Sequence, residues 1–169
     1  GGEEGRGRGV GTSRFGIAHM RAFLRPAVLL GGAYASQIFG GLHPCEMCWW
    51  QRYPHFAAVA IALVAFAVGN AGYRKALVAL AALAIGTSGV IAGFHAGVEY
   101  GWWEGLTACT STVSGTGDDL LKSIMNAPLI RCDVAPWSLF GISLAGYNFL
   151  LSLGGAALIL ASIWRTKTP

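Results

Sequence analysis

Apolar residues run almost unbroken through four stretches of the chain, about 26–42, 53–69, 76–98 and 138–164, and no Asp, Glu, Lys or Arg falls within them. A helix that crosses the hydrocarbon core of a bilayer needs roughly 17–25 mostly apolar residues, and each stretch reaches that length. The pattern predicts an all-α integral membrane four-helix bundle over residues 21–165. A connection as short as that between the second and third stretches makes neighbours antiparallel. Two loops, about 43–52 and 99–137, then lie on one side of the membrane. In the second loop Leu120, Leu121, Ile124 and Met125 recur at helical spacing, which predicts a short amphipathic helix lying on the bilayer. Residues 1–20 are Gly- and Arg-rich at their start and read as a disordered tail.

Composition supports the membrane reading. The chain is 54% hydrophobic and 12% charged, with mean hydropathy +0.52. Soluble domains carry roughly twice that charge. Among 25 glycines, many lie inside the apolar stretches, where small residues let helices approach closely. The net charge of +4 excludes little until its distribution is read. Arg6, Arg8, Arg14, Arg21, Arg25, Arg74, Lys75, Arg165 and Lys167 precede the first stretch, separate the second from the third, or follow the fourth. Those segments share one face, and the bias of Lys and Arg makes it the cytoplasm. Both termini are then cytoplasmic. Arg52, Lys122 and Arg131 are left on the other side, among Glu46, Glu99, Glu104, Asp118, Asp119 and Asp133. Nucleic-acid binding needs a clustered basic patch, and the charge here is spent on topology. Ala33-Tyr34-Ala35 resembles a signal-peptidase site, but Arg25 interrupts the apolar run before it.

All four cysteines fall in the two outward loops. Cys45 and Cys48 form a C-x-x-C in the first, and Cys109 and Cys132 stand far apart in the second. Disulfides persist outside a bacterial inner membrane. Four cysteines allow three pairings, which sequence alone does not separate, although the local geometry of a C-x-x-C favours Cys45 with Cys48. A redox relay, two structural disulfides in a tetraspan scaffold, and a metal site are the competing readings. Zinc calls for a second close Cys/His pair, and the wide spacing of Cys109 and Cys132 speaks against it.

The surroundings of Cys45 and Cys48 favour chemistry. Pro44 suits a helix start, and thiols at a helix N-terminus are stabilised as thiolates. Arg52, four residues after Cys48, shares a helical face with it. A cation at a membrane rim beside two thiols reads as functional, and the plain alternative is an arginine snorkelling to headgroups. Pro54 demands either a kink in a helix begun at Pro44 or a turn before the span proper.

The stretch Pro44-Cys45-Glu46-Met47-Cys48-Trp49-Trp50-Gln51-Arg52 resembles the P-C-x-x-C-x-x-x-R signature of the DsbB family of bacterial inner-membrane disulfide bond formation proteins. The order of parts is similar over roughly residues 20–165. The resemblance implies a thiol:quinone oxidoreductase. A periplasmic thioredoxin-fold dithiol oxidase, DsbA-like, passes electrons to a Cys109/Cys132 disulfide, then to Cys45/Cys48, then to a membrane quinone, ubiquinone or menaquinone. Cys109 matches the cysteine that joins the partner, Cys132 its resolving mate, Cys45 the cysteine exchanging with the loop pair, and Cys48 the one nearest the quinone. Arg52 matches the arginine at the quinone ring, and His95 resembles a histidine linked to quinone function. A quinone needs an apolar pocket and a donor to its oxygen, which Arg52 supplies. The vitamin K epoxide reductase family shares this plan, but places its C-x-x-C near the last span.

Other candidates carry plainer expectations. His95 otherwise makes a helix–helix hydrogen bond, and His55, one turn into the second span, reads mainly as structural. Glu46 and Glu99 read as solvated loop carboxylates. Trp49, Trp50, Trp102, Trp103 and Trp137 form an aromatic belt at the outer interface.

Overall fold

The computed structural model describes residues 4–106, 116–126 and 130–165, with side chains from residue 14 except those of residues 123, 124 and 126. The chain is mostly helical. Four long helices, α1 (Glu4–Gly40), α2 (Glu46–Ala67), α3 (Ala71–Glu99) and α5 (Leu144–Trp164), pack side by side. α1 lies against α2 and α5, and α3 lies against α2 and α5. A short helix α4 (Asp118–Asn126) and a two-strand hairpin, β1 (Ser138–Leu139) and β2 (Ile142–Ser143), belong to the segment between α3 and α5.

Helix starts are set by side-chain caps. Asn70 Oδ1 accepts from Gly72 N–H at 2.9 Å and Tyr73 N–H at 3.1 Å, opening α3. Ser143 Oγ accepts from Gly146 N–H at 3.1 Å, opening α5. Each satisfies amides that the helix itself cannot pair. α3 ends in a Schellman turn. Gly101, at φ +72°, donates to Val98 O at 3.1 Å, and Trp102 N–H donates to Gly97 O at 2.8 Å. That turn folds Trp103 back along α3, where its Nε1–H donates to Phe94 O at 3.0 Å. Gly97 leaves room for the ring, since a Cβ there would overlap it.

α3 and α5 are the two helices, among the described residues, long and apolar enough to cross a membrane. They approach through small residues, with Gly93 against the Phe149 ring and Gly89 against Leu153. α1 and α2 are more polar, yet they too turn large apolar side chains outward: Val28, Ile38 and Phe39, then Phe56, Leu63, Val64 and Phe66.

Three boundaries differ from the sequence reading. The segment expected as a disordered tail to residue 20 is helical from Glu4 onward. Over its last part the cause is visible: Ala18 and Ala22 are fully buried in the core and Phe15 packs against it. α2 is one helix from Glu46, with Pro54 inside it and Cys45 as its N-cap, so the thiols stand at the helix's own first turn. The fourth apolar stretch does not become helix at Ser138. Phe140 and Gly141, at φ +51° and +77°, make a tight reversal that pairs Ser138 with Ser143 and Leu139 with Ile142. Two consecutive positive φ values are the signature of a hairpin turn matched to strand twist. Tyr100 pins it, donating to Gly141 O at 2.9 Å and accepting from Ser143 N–H at 3.1 Å.

Candidate active site

Gly41, at φ +65°, turns the chain away from α1 and brings Pro44 and Cys45 to the head of α2. As N-cap, Cys45 Sγ accepts from Cys48 N–H at 3.2 Å. The two sulfurs stand 2.7 Å apart. Cys45 is buried and Cys48 partly exposed. Together with Met47, Val98 and Cys132, Cys45 forms a small apolar cluster, flanked by Trp50, Phe94 and Ile130.

The two thiols are electrostatically unequal. A hydrogen bond from Cys45 holds the Cys48 thiol below the ordinary thiol range; the amide of its own helix turn and the Arg52 charge act in the same sense, while burial and the Glu99 carboxylate oppose them. Cys45 is pushed far up, first by its hydrogen bond to Cys48 and then by burial. The two thiols titrate as a pair, and the second proton must leave beside the charge left by the first.

Arg52 is buried, 6% exposed. Its Nη1 donates to Gln37 Oε1 at 3.0 Å and its Nη2 to Ala33 O at 3.4 Å, both on α1. The guanidinium lies 4.7 Å from the Tyr34 ring centroid and 4.9 Å from that of Trp49. Stacking of this kind suits a planar delocalised cation. A cavity of about 460 Å³ opens between α1, α2 and α5, with Cys48, Arg52, His55, His95 and Asn148 in its wall and Leu29 and Leu30 of α1 and Leu144 and Leu151 of α5 around it. Such a volume lies within the range of small-molecule and cofactor sites.

A buried polar chain backs the thiols. His95 Nε2 is 3.7 Å from Cys45 Sγ and 3.7 Å from Glu99 Oε1. Its Nδ1 is 2.8 Å from Gln51 Nε2. Gln51 Nε2 also donates to Met47 O at 3.1 Å. Asn148 Nδ2 donates to Gln51 Oε1 at 2.9 Å and to Ser88 Oγ at 3.2 Å, and Ser88 Oγ donates to Gln51 O at 2.8 Å. Because Gln51 presents hydrogens to Nδ1, the neutral His95 ring carries its own hydrogen on Nε2, facing Cys45. Cys45, His95 and Cys132 each bring one potential ligand atom within 4.8 Å of the others. With this tautomer the imidazole offers those sulfurs an N–H, whereas a metal would need its lone pair.

Five of the six residues singled out from the sequence, Cys45, Cys48, Arg52, His95 and Cys132, thus meet at one end of the bundle. The sixth, Cys109, lies outside the described residues. Glu99, read as a solvated loop carboxylate, is instead the last residue of α3; its side chain is 2% exposed and its Oε2 has no partner. Helix α3 simply runs farther than the apolar stretch. Gln51 and Asn148 were not anticipated. The available signal was a side-chain amide within or beside an apolar run, and Asn148 is the sole Asn or Gln of α5.

Paired thiols of unlike acidity on a helix N-terminus, beside an apolar cavity in a bundle with membrane-length helices, define a membrane thiol–disulfide oxidoreductase. The model of the family described as "Disulfide bond formation protein DsbB" matches residues 16–162, so the chain belongs to the DsbB family. It is 31% identical over 150 residues to disulfide bond formation protein B of Verminephrobacter eiseniae, covering 82% of this chain and 80% of that protein. It is 30% identical over 149 residues to the protein of the same name from Albidiferax ferrireducens, with 82% and 80% covered. An uncharacterized protein, RP370, of Rickettsia prowazekii is 23% identical over 148 residues, with 85% of each covered. No solved structure matches the chain.

Proposed function

We propose that this protein is a thiol:quinone oxidoreductase of the bacterial inner membrane that reoxidises a periplasmic DsbA-like dithiol oxidase. The observation that carries the reading is the position of Cys45. Its sulfur stands 2.7 Å from that of Cys48 and within 4.8 Å of that of Cys132, while Cys48 and Arg52 line the cavity. The same membrane frame follows: all four long helices span, the thiol end faces the periplasm, and both termini are cytoplasmic. Exposed Leu121 and Met125 on α4 support its lying on the membrane surface.

In the relay, a thiolate of the reduced partner attacks the Cys109/Cys132 disulfide at Cys109 and releases the Cys132 thiolate. The partner's second thiolate closes its own disulfide and frees Cys109. Cys132 then attacks the Cys45/Cys48 disulfide at Cys45, releasing Cys48 as thiolate, and Cys109 resolves that bond so that the loop disulfide reforms. The lowered pKa of Cys48 makes it the better leaving group. His95 Nε2–H faces Cys45 and supports charge on its sulfur.

The cavity fits a quinone on this structure's own terms. Its wall is largely apolar, the Arg52 cation is part of it, and the buried Nδ1 of His55, another of its lining residues, has no partner. A bound quinone supplies a two-electron, two-proton acceptor. Cys48 and Arg52 would hold it from the α2 side of the cavity, where the Arg52 cation would favour negative charge.

The test is quinone reduction by the purified protein in detergent, with a reduced DsbA-like dithiol as donor. Cys48→Ser and Cys132→Ser are each expected to lower turnover by at least about a thousandfold without loss of helix content. Disulfide-bonded wild type that binds quinone yet never turns over would leave a scaffold with structural disulfides as the better reading. Loss of helix content in both variants would point the same way.

A further inference from the structure

The hydrogen-bond chain that sets the tautomer of His95 also sets that of His55. Met47 O can only accept, so the Gln51 atom 3.1 Å from it is the amide nitrogen. Gln51 Oε1 therefore faces Asn148 Nδ2. That leaves Asn148 Oδ1 as an acceptor, which takes Ser152 Oγ–H at 2.7 Å and His55 Nε2–H at 3.1 Å. A neutral imidazole has one donor and one acceptor nitrogen. With its hydrogen on Nε2, His55 keeps a bare lone pair on Nδ1.

His55 is 3% exposed, and its Nδ1 is a fully buried atom with no partner. Buried acceptors without partners are rare, and each calls for a reason. The ring lines the cavity that Arg52 and Cys48 also line. Arg52 is tied to α1 through Gln37 and Ala33, and His55 to α5 through Asn148 and Ser152. The cavity wall therefore includes a cation tied to α1 and an imidazole tied to α5 that keeps an unsatisfied acceptor.

We propose that His55 Nδ1 accepts a hydrogen bond from a hydroxyl of the cavity's ligand, so that the site holds a hydroxyl-bearing, reduced ring in preference to one carrying carbonyls alone. The inference rests on the quinone reading above. A quinone carbonyl suits Arg52 but meets only a lone pair at His55, whereas a quinol hydroxyl satisfies His55 and leaves its other oxygen for Arg52. His55 is a specificity-determining residue that takes no part in the thiol exchange.

The probes are the monomethyl and dimethyl ethers of a short-chain benzoquinol, which exchange no electrons with the thiols and differ by one hydroxyl. Their dissociation constants, and that of the parent quinone, are read from tryptophan fluorescence of the full chain in detergent. Wild type is expected to bind the monoether about tenfold more tightly than the diether. His55→Leu is expected to abolish that difference by weakening the monoether alone. The wild type also gives a readout free of any folding defect: with 15N-labelled histidine, the monoether moves the unprotonated Nδ1 resonance of His55 upfield and the diether leaves it in place. Equal affinities in wild type, with no Nδ1 shift, would mean that water satisfies this nitrogen, and would overturn the proposal while quinone binding stood. Failure of the quinone and both ethers to bind would sink the quinone reading together with this one.

Discussion

The same four helices pack in two different ways along their length. Around α3's start the interior is dry and built from small side chains: Ala18, Ala22, Ala58, Ala62, Ala65, Ala81 and Ala82, with Val78, Ile85, Ile159 and Ile163 filling the gaps. The described polar side chain buried there with a resolved bond, His19, points Nε2 at Ala62 O at 3.0 Å and stacks on Phe66 at 3.8 Å between ring centroids. At the thiol end, Gln51, Arg52, His55, Ser88, His95 and Ser152 are all buried, and most of their polar atoms find one another. Close contact of small residues holds one end. Directional bonds hold the other, and they leave a cavity where alanines would have closed the gap. The lesson is that stability and chemistry occupy different stretches of the same helices.

Substitutions can break that division if it is wrong. The largest effect is expected from Ile85→Ala, which empties a fully buried site in the dry half. Stability should fall by about 2–5 kcal/mol, measured by reversible unfolding in mixed micelles, with quinone affinity unchanged. A matching loss of affinity would show that the two ends are not separable.

Asn148→Leu should act the other way round. It unpairs Gln51 Oε1 and removes the partner of His55 Nε2, so the stability loss is expected at about 1–2 kcal/mol. Quinone reduction should fall by roughly tenfold, equivalent to about 1.4 kcal/mol, because His95 loses the group that orients Gln51 against it. A stability loss with undiminished turnover would reduce the polar chain to ordinary helix–helix glue.

The smallest effect concerns acidity at the helix start. Alkylation follows the thiolate fraction. Since Cys48 is lowered and Cys45 raised, Cys48 of the reduced protein should react with iodoacetamide at a pH below that needed for an ordinary thiol, and Cys45 only after further increase. Arg52→Ala should move the Cys48 profile to higher pH. Two thiols reacting together near the ordinary range would mean that the asymmetry has no functional weight.

Much of the site was legible because it is local. Pro44, Cys45, Cys48 and Arg52 lie within a few turns of one helix, where spacing alone dictates a shared face. The apolar stretches that became α3 and α5 were legible for a similar reason, since unbroken hydrophobicity over membrane length has few other uses. The hairpin at Ser138–Ser143 was hidden because Leu139, Phe140 and Ile142 continue an apolar run, and only the left-handed backbone at Phe140 and Gly141 turns it. Glu99 was misjudged because a carboxylate after an apolar stretch looks like loop, whereas α3 extends to include it.

The sequence by itself determined the helical class and the thiol pair with its arginine one turn later. Those properties depend on composition and on neighbours a few residues apart. Tertiary structure alone decided that Cys132 comes to Cys45, that Asn148 on α5 reaches Gln51 on α2, and that the resulting chain assigns a hydrogen to one nitrogen of each histidine. Hydrogen-bond direction is a property of atoms in contact, and these contacts join helices far apart along the chain.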